Sequence, residues 1–257
     1  MKPTRFPQGA ALIYGGSGGI GQGVAEAFAL AGSDVAITYR SRRDRADDLA
    51  QRLAALKVGA TVHGLDVTDE DQVGEGFEAA RQAHGRIHTV VWSAGPLVDQ
   101  VHLSRTTAEQ WRRALDIEVM GFFHAVKAAL PHFRTSGGGS FVHLGSAGHR
   151  LWPDKDGLSV APKAANEALI RGVAREEGRH EIRANSVLIG VVEAGMFLDL
   201  KARGEIDATW QDASLRRLAL KRWGRPDDIG EAAVFLASNQ ANYITGQQIS
   251  VSGGLGV

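Results

Sequence analysis

Short apolar runs recur along the chain at residues 10–14, 35–39, 61–65, 87–92, 140–144, 184–188 and 248–251, each of a length that suits one buried strand. Most of the stretches between them carry apolar residues at helical spacing. In the first, Ile20, Val24, Ala27, Phe28 and Ala31 fall on one stripe; in the second, Ala46, Leu49, Ala50, Leu53 and Leu56 do so beside a charged face. Strands alternating with amphipathic helices predict parallel strands joined by crossovers, hence an α/β, Rossmann-like doubly wound sheet of about seven strands with helices on both faces. Gly32-Ser33 closes the first helix, Gly59 follows the second as its expected left-handed terminal residue, and Pro226-Asp227-Asp228 opens a late one. Gly137-Gly138-Gly139 reads as a tight surface loop between a helix ending near Phe133 and the strand beginning at Ser140.

With no repeat or linker, the 257 residues suit a single domain spanning 1–257. One irregular region, at about 192–219, would sit over the carboxyl ends of the strands as a substrate lid. Lys and Arg together number 29, as do Asp and Glu, so no global field favours nucleic acid or an anionic membrane. Cysteine is absent, which excludes disulfides, thiolate zinc sites and a cysteine nucleophile, and no metal site is expected. Residues 1–8 form a short polar start without a signal-peptide core, and no apolar run is long enough to span a bilayer. The expectation is a cytoplasmic protein that acts on a small molecule, with no nucleic-acid or membrane partner.

Directly after the first strand comes Gly15-Gly16-Ser17-Gly18-Gly19-Ile20-Gly21, opening the first helix. Glycines there allow a sharp turn and close backbone approach, so that a pyrophosphate can meet the free N–H groups and positive dipole end of the helix. No acidic residue ends the second strand, where one would bind the ribose hydroxyls of NAD. Tyr39-Arg40-Ser41-Arg42-Arg43 stands there instead, and its guanidinium groups favour NADP over NAD. Arg40 is the first candidate; Arg42 and Arg43 read equally well as the charged start of a surface helix.

Gly15-x-x-x-Gly19-Ile20-Gly21 is similar to the cofactor motif of the short-chain dehydrogenase/reductase family, with Tyr14 where a threonine is usual. The resemblance covers nearly the whole chain. Asp66-Val67 resembles the pair that holds adenine. Ser93-Ala94-Gly95 resembles the end of the family's Asn-Asn-Ala-Gly, with Trp92 and Ser93 in place of the asparagines. Arg225-Pro226, Asn242-Tyr243-Ile244-Thr245-Gly246-Gln247 and Val251-Ser252-Gly253-Gly254 resemble its C-terminal segment. The resemblance implies NAD(P)-dependent hydride transfer between nicotinamide and a carbonyl or alcohol. It also implies a homo-oligomer, tetramer or dimer, formed through long helices at about 108–130 and 159–178 and the C-terminal segment.

In that family a serine, a Tyr-x-x-x-Lys pair and an upstream asparagine carry the chemistry. Ser146 resembles the serine. Thirteen residues on, Ser159-x-x-x-Lys163 resembles the tyrosine-lysine pair with serine in the tyrosine's place. The chain's three tyrosines, Tyr14, Tyr39 and Tyr243, all belong to other segments of the match. Glu118 takes the place of the asparagine, and Ala194, in the loop over nicotinamide that also bears Val192, that of a threonine. An aliphatic hydroxyl is a far weaker acid than a phenol of pKa about 10, so Ser159 does not replace the tyrosine directly, although it has room to hold a water. Candidate proton carriers are that water, His149 on the loop after Ser146, and Glu118, which reads either as the charge partner of Lys163 or as a buried acid. The commoner reading of His149 is a solvated loop residue, and that of His143, inside a strand, a structural histidine. Asp154-Lys155-Asp156 forms a polar run, either solvated or one wall of a pocket. Two other readings stand beside the oxidoreductase: a non-redox lyase or isomerase on the same fold, and a catalytically silent nucleotide-binding protein.

Overall fold

The computed structural model describes residues 4–257; residues 1–3 of the polar start lie outside the described residues. Seven strands, β1 (Ala10–Tyr14), β2 (Asp34–Tyr39), β3 (Ala60–Gly64), β4 (Ile87–Trp92), β5 (Gly139–Ser146), β6 (Ile182–Ile189) and β7 (Gln248–Val251), form one sheet in the order 3-2-1-4-5-6-7. All neighbours are parallel. The order reverses between β1 and β4, which opens a crevice at the carboxyl ends of these two strands, where such sheets bind ligands.

The strand period of two divides the core. Ala11 and Ile13 of β1 face one layer with Val24 and Phe28 of α1 (Gly19–Leu30), Leu49 and Leu53 of α2 (Arg43–Ala54), and Ile229 and Val234 of α9 (Pro226–Ala237). Ala10, Leu12 and Tyr14 face the other, with Phe77 of α3 (Glu70–His84), Phe122 and Phe133 of α5 (Gly121–Thr135) and Ile170 of α6 (Gly157–Glu177). Helices α1 and α9 touch through glycine: a Cβ at Gly230 would lie 2.7 Å from Cβ of Ala27. Arg183 of β6 fastens the end of α9, its guanidinium donating to the carbonyls of Leu236 at 2.6 Å, Ala237 at 2.9 Å and Ser238 at 3.2 Å. The carbonyls of Leu236 and Ala237 have no partner further along the helix; that of Ser238 also accepts from Ala241 N at 3.1 Å.

Three local expectations change. Leu56 lies beyond the end of α2 and is half-exposed, because the chain turns at Lys57 (φ 64°) and not at Gly59. Gly59 serves a close approach instead: its N–H donates to Oδ1 of Asp34 at 2.6 Å, and a Cβ would press on that carboxylate. The helix expected over about 108–130 is α4 (Ala108–Leu115) and α5 separated by a π turn, Asp116–Met120. The region at about 192–219 is not irregular throughout; it holds α7 (Met196–Ala202) and α8 (Ala208–Arg217). These helices form because Phe197 and Leu200 bury a face of α7, and Phe197, Trp210 and Trp223 pack ring against ring.

Candidate active site

The glycine loop follows β1 directly. Gly15 has φ +73°, and its N–H donates to Oγ1 of Thr38 on β2 at 3.0 Å. A side chain at Gly16 would strike Cγ2 of Ile37 at 2.5 Å, and one at Gly15 the backbone of Ala94 at 2.7 Å. Helix α1 begins at Gly18-Gly19 with no side-chain cap, so its first N–H groups remain available to an anion. Gly19 in turn abuts Gly195, just before α7. This cradle of small residues around an uncapped helix start fits a dinucleotide pyrophosphate, with Ser17, Gly18, Ile20 and Gly21 in the same turn.

Farther along the crevice lie Arg40 and the Asp66-Val67 pair. Asp66 accepts from Thr68 N at 3.0 Å and Oγ1 at 2.8 Å, bonds that hold its carboxyl below the usual range, with a smaller contribution from the Arg40 charge. Arg42 is bonded to Asp44 and Arg43 to Asp47, both within the start of α2. Arg40 is exposed and makes no salt bridge among the described residues.

At the other end, the chain brings Lys163, Glu118 and His143 together around the buried Glu118 carboxylate, with Ser146 at the end of β5, the strand that bears His143. Ser146 ends β5; its Oγ accepts from Gly148 N at 3.0 Å, which leaves its O–H free to donate. Lys163, four residues after Ser159 on α6 and so on the same face, donates to Oε2 of Glu118 at 2.7 Å. Glu118 comes from the π turn, a distortion frequent at functional sites, and is 1% exposed. Trp92 Nε1 donates to its Oε1 at 3.2 Å, and Asn166 Nδ2 to its backbone carbonyl at 2.9 Å. Gly95 lies against the pair: a Cβ there would be 3.0 Å from Oε2 of Glu118 and would have to displace that carboxylate slightly. Burial alone would push the Glu118 carboxyl up, but Lys163 and His143 outweigh it and hold the group below its usual range.

His143 is fully buried between two carboxylates, Nε2 3.7 Å from Glu118 and Nδ1 3.5 Å from Glu167. Burial opposes its charge, yet the two carboxylates overcome that and raise its pKa. His149 lies on the turn Ala147–Arg150 after Ser146, with Nδ1 buried and unpartnered. Ser159 is 7% exposed and one turn from Lys163.

A family model described as enoyl-(acyl carrier protein) reductase matches residues 15–256. The chain belongs to the short-chain dehydrogenase/reductase family. It is 30% identical to a 3-oxoacyl-[acyl-carrier-protein] reductase of Thermotoga maritima over 244 residues, 95% of this chain and 96% of the relative. Among solved structures, a Burkholderia cenocepacia short chain dehydrogenase in complex with NADP superposes with TM-score 0.89 at 29% identity, covering 98% of this chain and 100% of that one. A 7α-hydroxysteroid dehydrogenase complexed with NADH and 7-oxo glycochenodeoxycholic acid gives 0.90 at 27% identity, with 98% and 95% covered.

Within this short-chain dehydrogenase/reductase the tyrosines are accounted for. Tyr14 is buried, its ring 5.6 Å from that of Trp92; Tyr39 packs on Gly64; Tyr243 is fully exposed. Sequence reasoning missed Thr38, Asn166 and the second buried carboxylate, Glu167. Asn166 and Glu167 had a signal, three and four residues beyond Lys163 on the same helical face; Thr38 acts from the neighbouring strand and had none. Among the described residues no group of three or more His, Asp or Glu could hold a metal ion, and no helix is long and apolar enough to cross a membrane.

Proposed function

We propose that this short-chain dehydrogenase/reductase is an NADP-dependent oxidoreductase that transfers hydride between nicotinamide and a carbonyl or alcohol, with a proton donor other than tyrosine. The observation that carries the reading is the uncapped glycine loop after β1 together with a half-buried Lys163 ion-paired to the buried Glu118, with Ser146 at the carboxyl end of β5. Bound NADP supplies the two-electron chemistry.

The chain's own residues do the rest. Gly15, Ser17, Gly18, Gly19, Ile20 and Gly21 bind the pyrophosphate, Asp66 and Val67 the adenine, and Ser93, Ala94, Gly95 and Val192 line the nicotinamide end. Arg40, free of an acidic partner, meets the 2′-phosphate, which favours NADP; relatives bind either cofactor, so the choice rests on this arginine. Ser146 donates its free O–H to the substrate oxygen. Glu118 fixes the position of Lys163, which holds the nicotinamide ribose. Ser159 stands where the family's tyrosine would, and with His149, whose Nδ1 has no partner, it bounds the space in which a water delivers a proton. The segment at about 192–219, with Ala194 against the glycine loop, closes over the substrate within a single domain.

A homo-oligomer, tetramer or dimer, completes the reading, supported by exposed Met120 and Phe123 at the π turn and α5. The second reading, a non-redox enzyme or a silent nucleotide-binding protein, is favoured by Ser159 and Ala194 together. Assay of NADPH oxidation with 3-oxoacyl thioesters and 7-oxo steroids, substrate types suggested by the relatives' names, separates them. Oxidation tied to carbonyl loss supports the reductase, whereas binding without oxidation across that panel supports the second reading.

A further inference from the structure

Asp156 begins α6, where an aspartate ordinarily accepts from the helix's own first N–H groups. Its side chain makes no such bond. Its backbone carbonyl accepts from Ser159 N at 3.1 Å and Val160 N at 2.9 Å, while the carboxyl turns to Gln100, whose Nε2 donates to Oδ1 at 3.4 Å. Spacings of three and seven residues put Asp156, at the cap of α6, on the same side of the helix as Ser159 and Lys163, one turn before the vacated tyrosine position and two before the lysine.

The cation that would neutralise Asp156 is already engaged: Lys163 is bonded to Glu118 at 2.7 Å and makes no salt bridge to Asp156. Among the described residues Lys163 is the one charge that acts on Asp156, and Gln100 is its polar neighbour from the stretch after β4; Asp154 and Lys155 beside it in the chain are exposed. Burial pushes the Asp156 carboxyl above its usual range, against the smaller effects of Gln100 and Lys163. Two carboxyl groups near one lysine are thus driven apart, Glu118 toward the ionised form and Asp156 toward the neutral acid, a division that commonly separates charge partner from proton donor.

We propose that Asp156 is the general acid of this site, delivering its proton to the substrate oxygen directly or through a water beside Ser159. The inference rests on the reductase reading above. As the carbonyl carbon gains a C–H bond from the hydride of reduced nicotinamide, which is oxidised, the carboxyl O–H breaks and the alcohol O–H forms. The Asp156 carboxylate that remains is reprotonated from solvent, and the reverse direction retraces these transfers.

Carbon-detected NMR titration of aspartate carboxyls, with the signal assigned by its loss in Asp156→Asn, tests the state of the group without turnover. A titration clearly above the ordinary aspartate range is expected; one at or below that range overturns the proposal. On any carbonyl the wild type reduces, Asp156→Asn is expected to lower kcat about 100-fold or more, remove the alkaline limb of the kcat/KM profile and leave NADPH affinity unchanged, with partial recovery in Asp156→Glu. An Asp156→Asn variant with wild-type kcat and pH profile overturns the assignment alone. A wild type that binds NADPH and reduces no carbonyl overturns the reductase reading itself.

Discussion

Lys163 Nζ stands 2.7 Å from Oε2 of Glu118, and this contact joins the π turn to α6 under the cofactor crevice. The carboxylate has three kinds of partner, the ammonium, the Trp92 indole and the Asn166 amide. On its far side His143 continues the array to Glu167. Removing one member of a buried pair leaves the other uncompensated, at a cost of about 3 kcal/mol or more. Glu118→Gln is therefore expected to lower unfolding free energy by about 3 kcal/mol in a urea titration near neutral pH; a loss within experimental error contradicts the role given to the pair.

The same array predicts how stability depends on pH. The folded-state pKa of Glu118 lies below its ordinary 4.5, so its contribution is complete above that value and fades as pH falls through the lowered one. That of His143 lies above its ordinary 6.5, so its contribution is complete below 6.5 and fades as pH rises through the raised value. Together they favour the window between these two ordinary values. Urea midpoints measured across pH are expected to decline on its alkaline side in the wild type and to decline less in His143→Gln.

Arg40 is the residue proposed to set the cofactor preference. A charge-assisted bond to phosphate contributes about 1.5–3 kcal/mol, so Arg40→Ala is expected to weaken NADPH binding about 10- to 100-fold and NADH binding little. Fluorescence titration with both cofactors checks this, and equal loss for both would assign Arg40 to the adenosine they share.

Arg183 is a test of the fold away from the site. Its guanidinium satisfies the carbonyls of Leu236 and Ala237 at the end of α9, which have no partner within the helix, and shares that of Ser238 with Ala241 N. Arg183→Ala is expected to destabilise by about 2–3 kcal/mol in thermal or denaturant unfolding while NADPH affinity is retained.

Much of the fold was legible because strand and helix periods are local. The seven apolar runs became the seven strands, and the stripe from Ile20 to Phe28 became the buried face of α1. The second stripe ran one residue group too far: Leu56 continues the period, but the helix ends first, because the chain reverses at Lys57, a residue with no sequence preference for a left-handed conformation. The π turn at Glu118 was hidden for the opposite reason. Its cause is tertiary, a carboxylate drawn to Lys163 and an indole from another strand, and spacing within 108–130 records none of it. The glycine loop and Arg40 could be read from their places after β1 and β2, whereas the pairing of Arg42 with Asp44 and Arg43 with Asp47 needed the structure to separate surface ion pairs from a free arginine. Glu118 as the partner of Lys163 was one of two readings open in the sequence; the geometry favours it.

In the proposed reaction hydride moves between nicotinamide and a carbonyl carbon whose oxygen is held by Ser146, with no tyrosine to supply the proton. The most direct test is stopped-flow NADPH oxidation with a reducible carbonyl, in the wild type, Ser146→Ala and Ser159→Tyr, after NADPH binding by each has been measured. The account predicts that all three bind NADPH, that the wild type turns over, and that Ser146→Ala loses about 100-fold or more in kcat. Turnover seen in Ser159→Tyr alone would contradict it and mark the native site as one that does not reduce carbonyls.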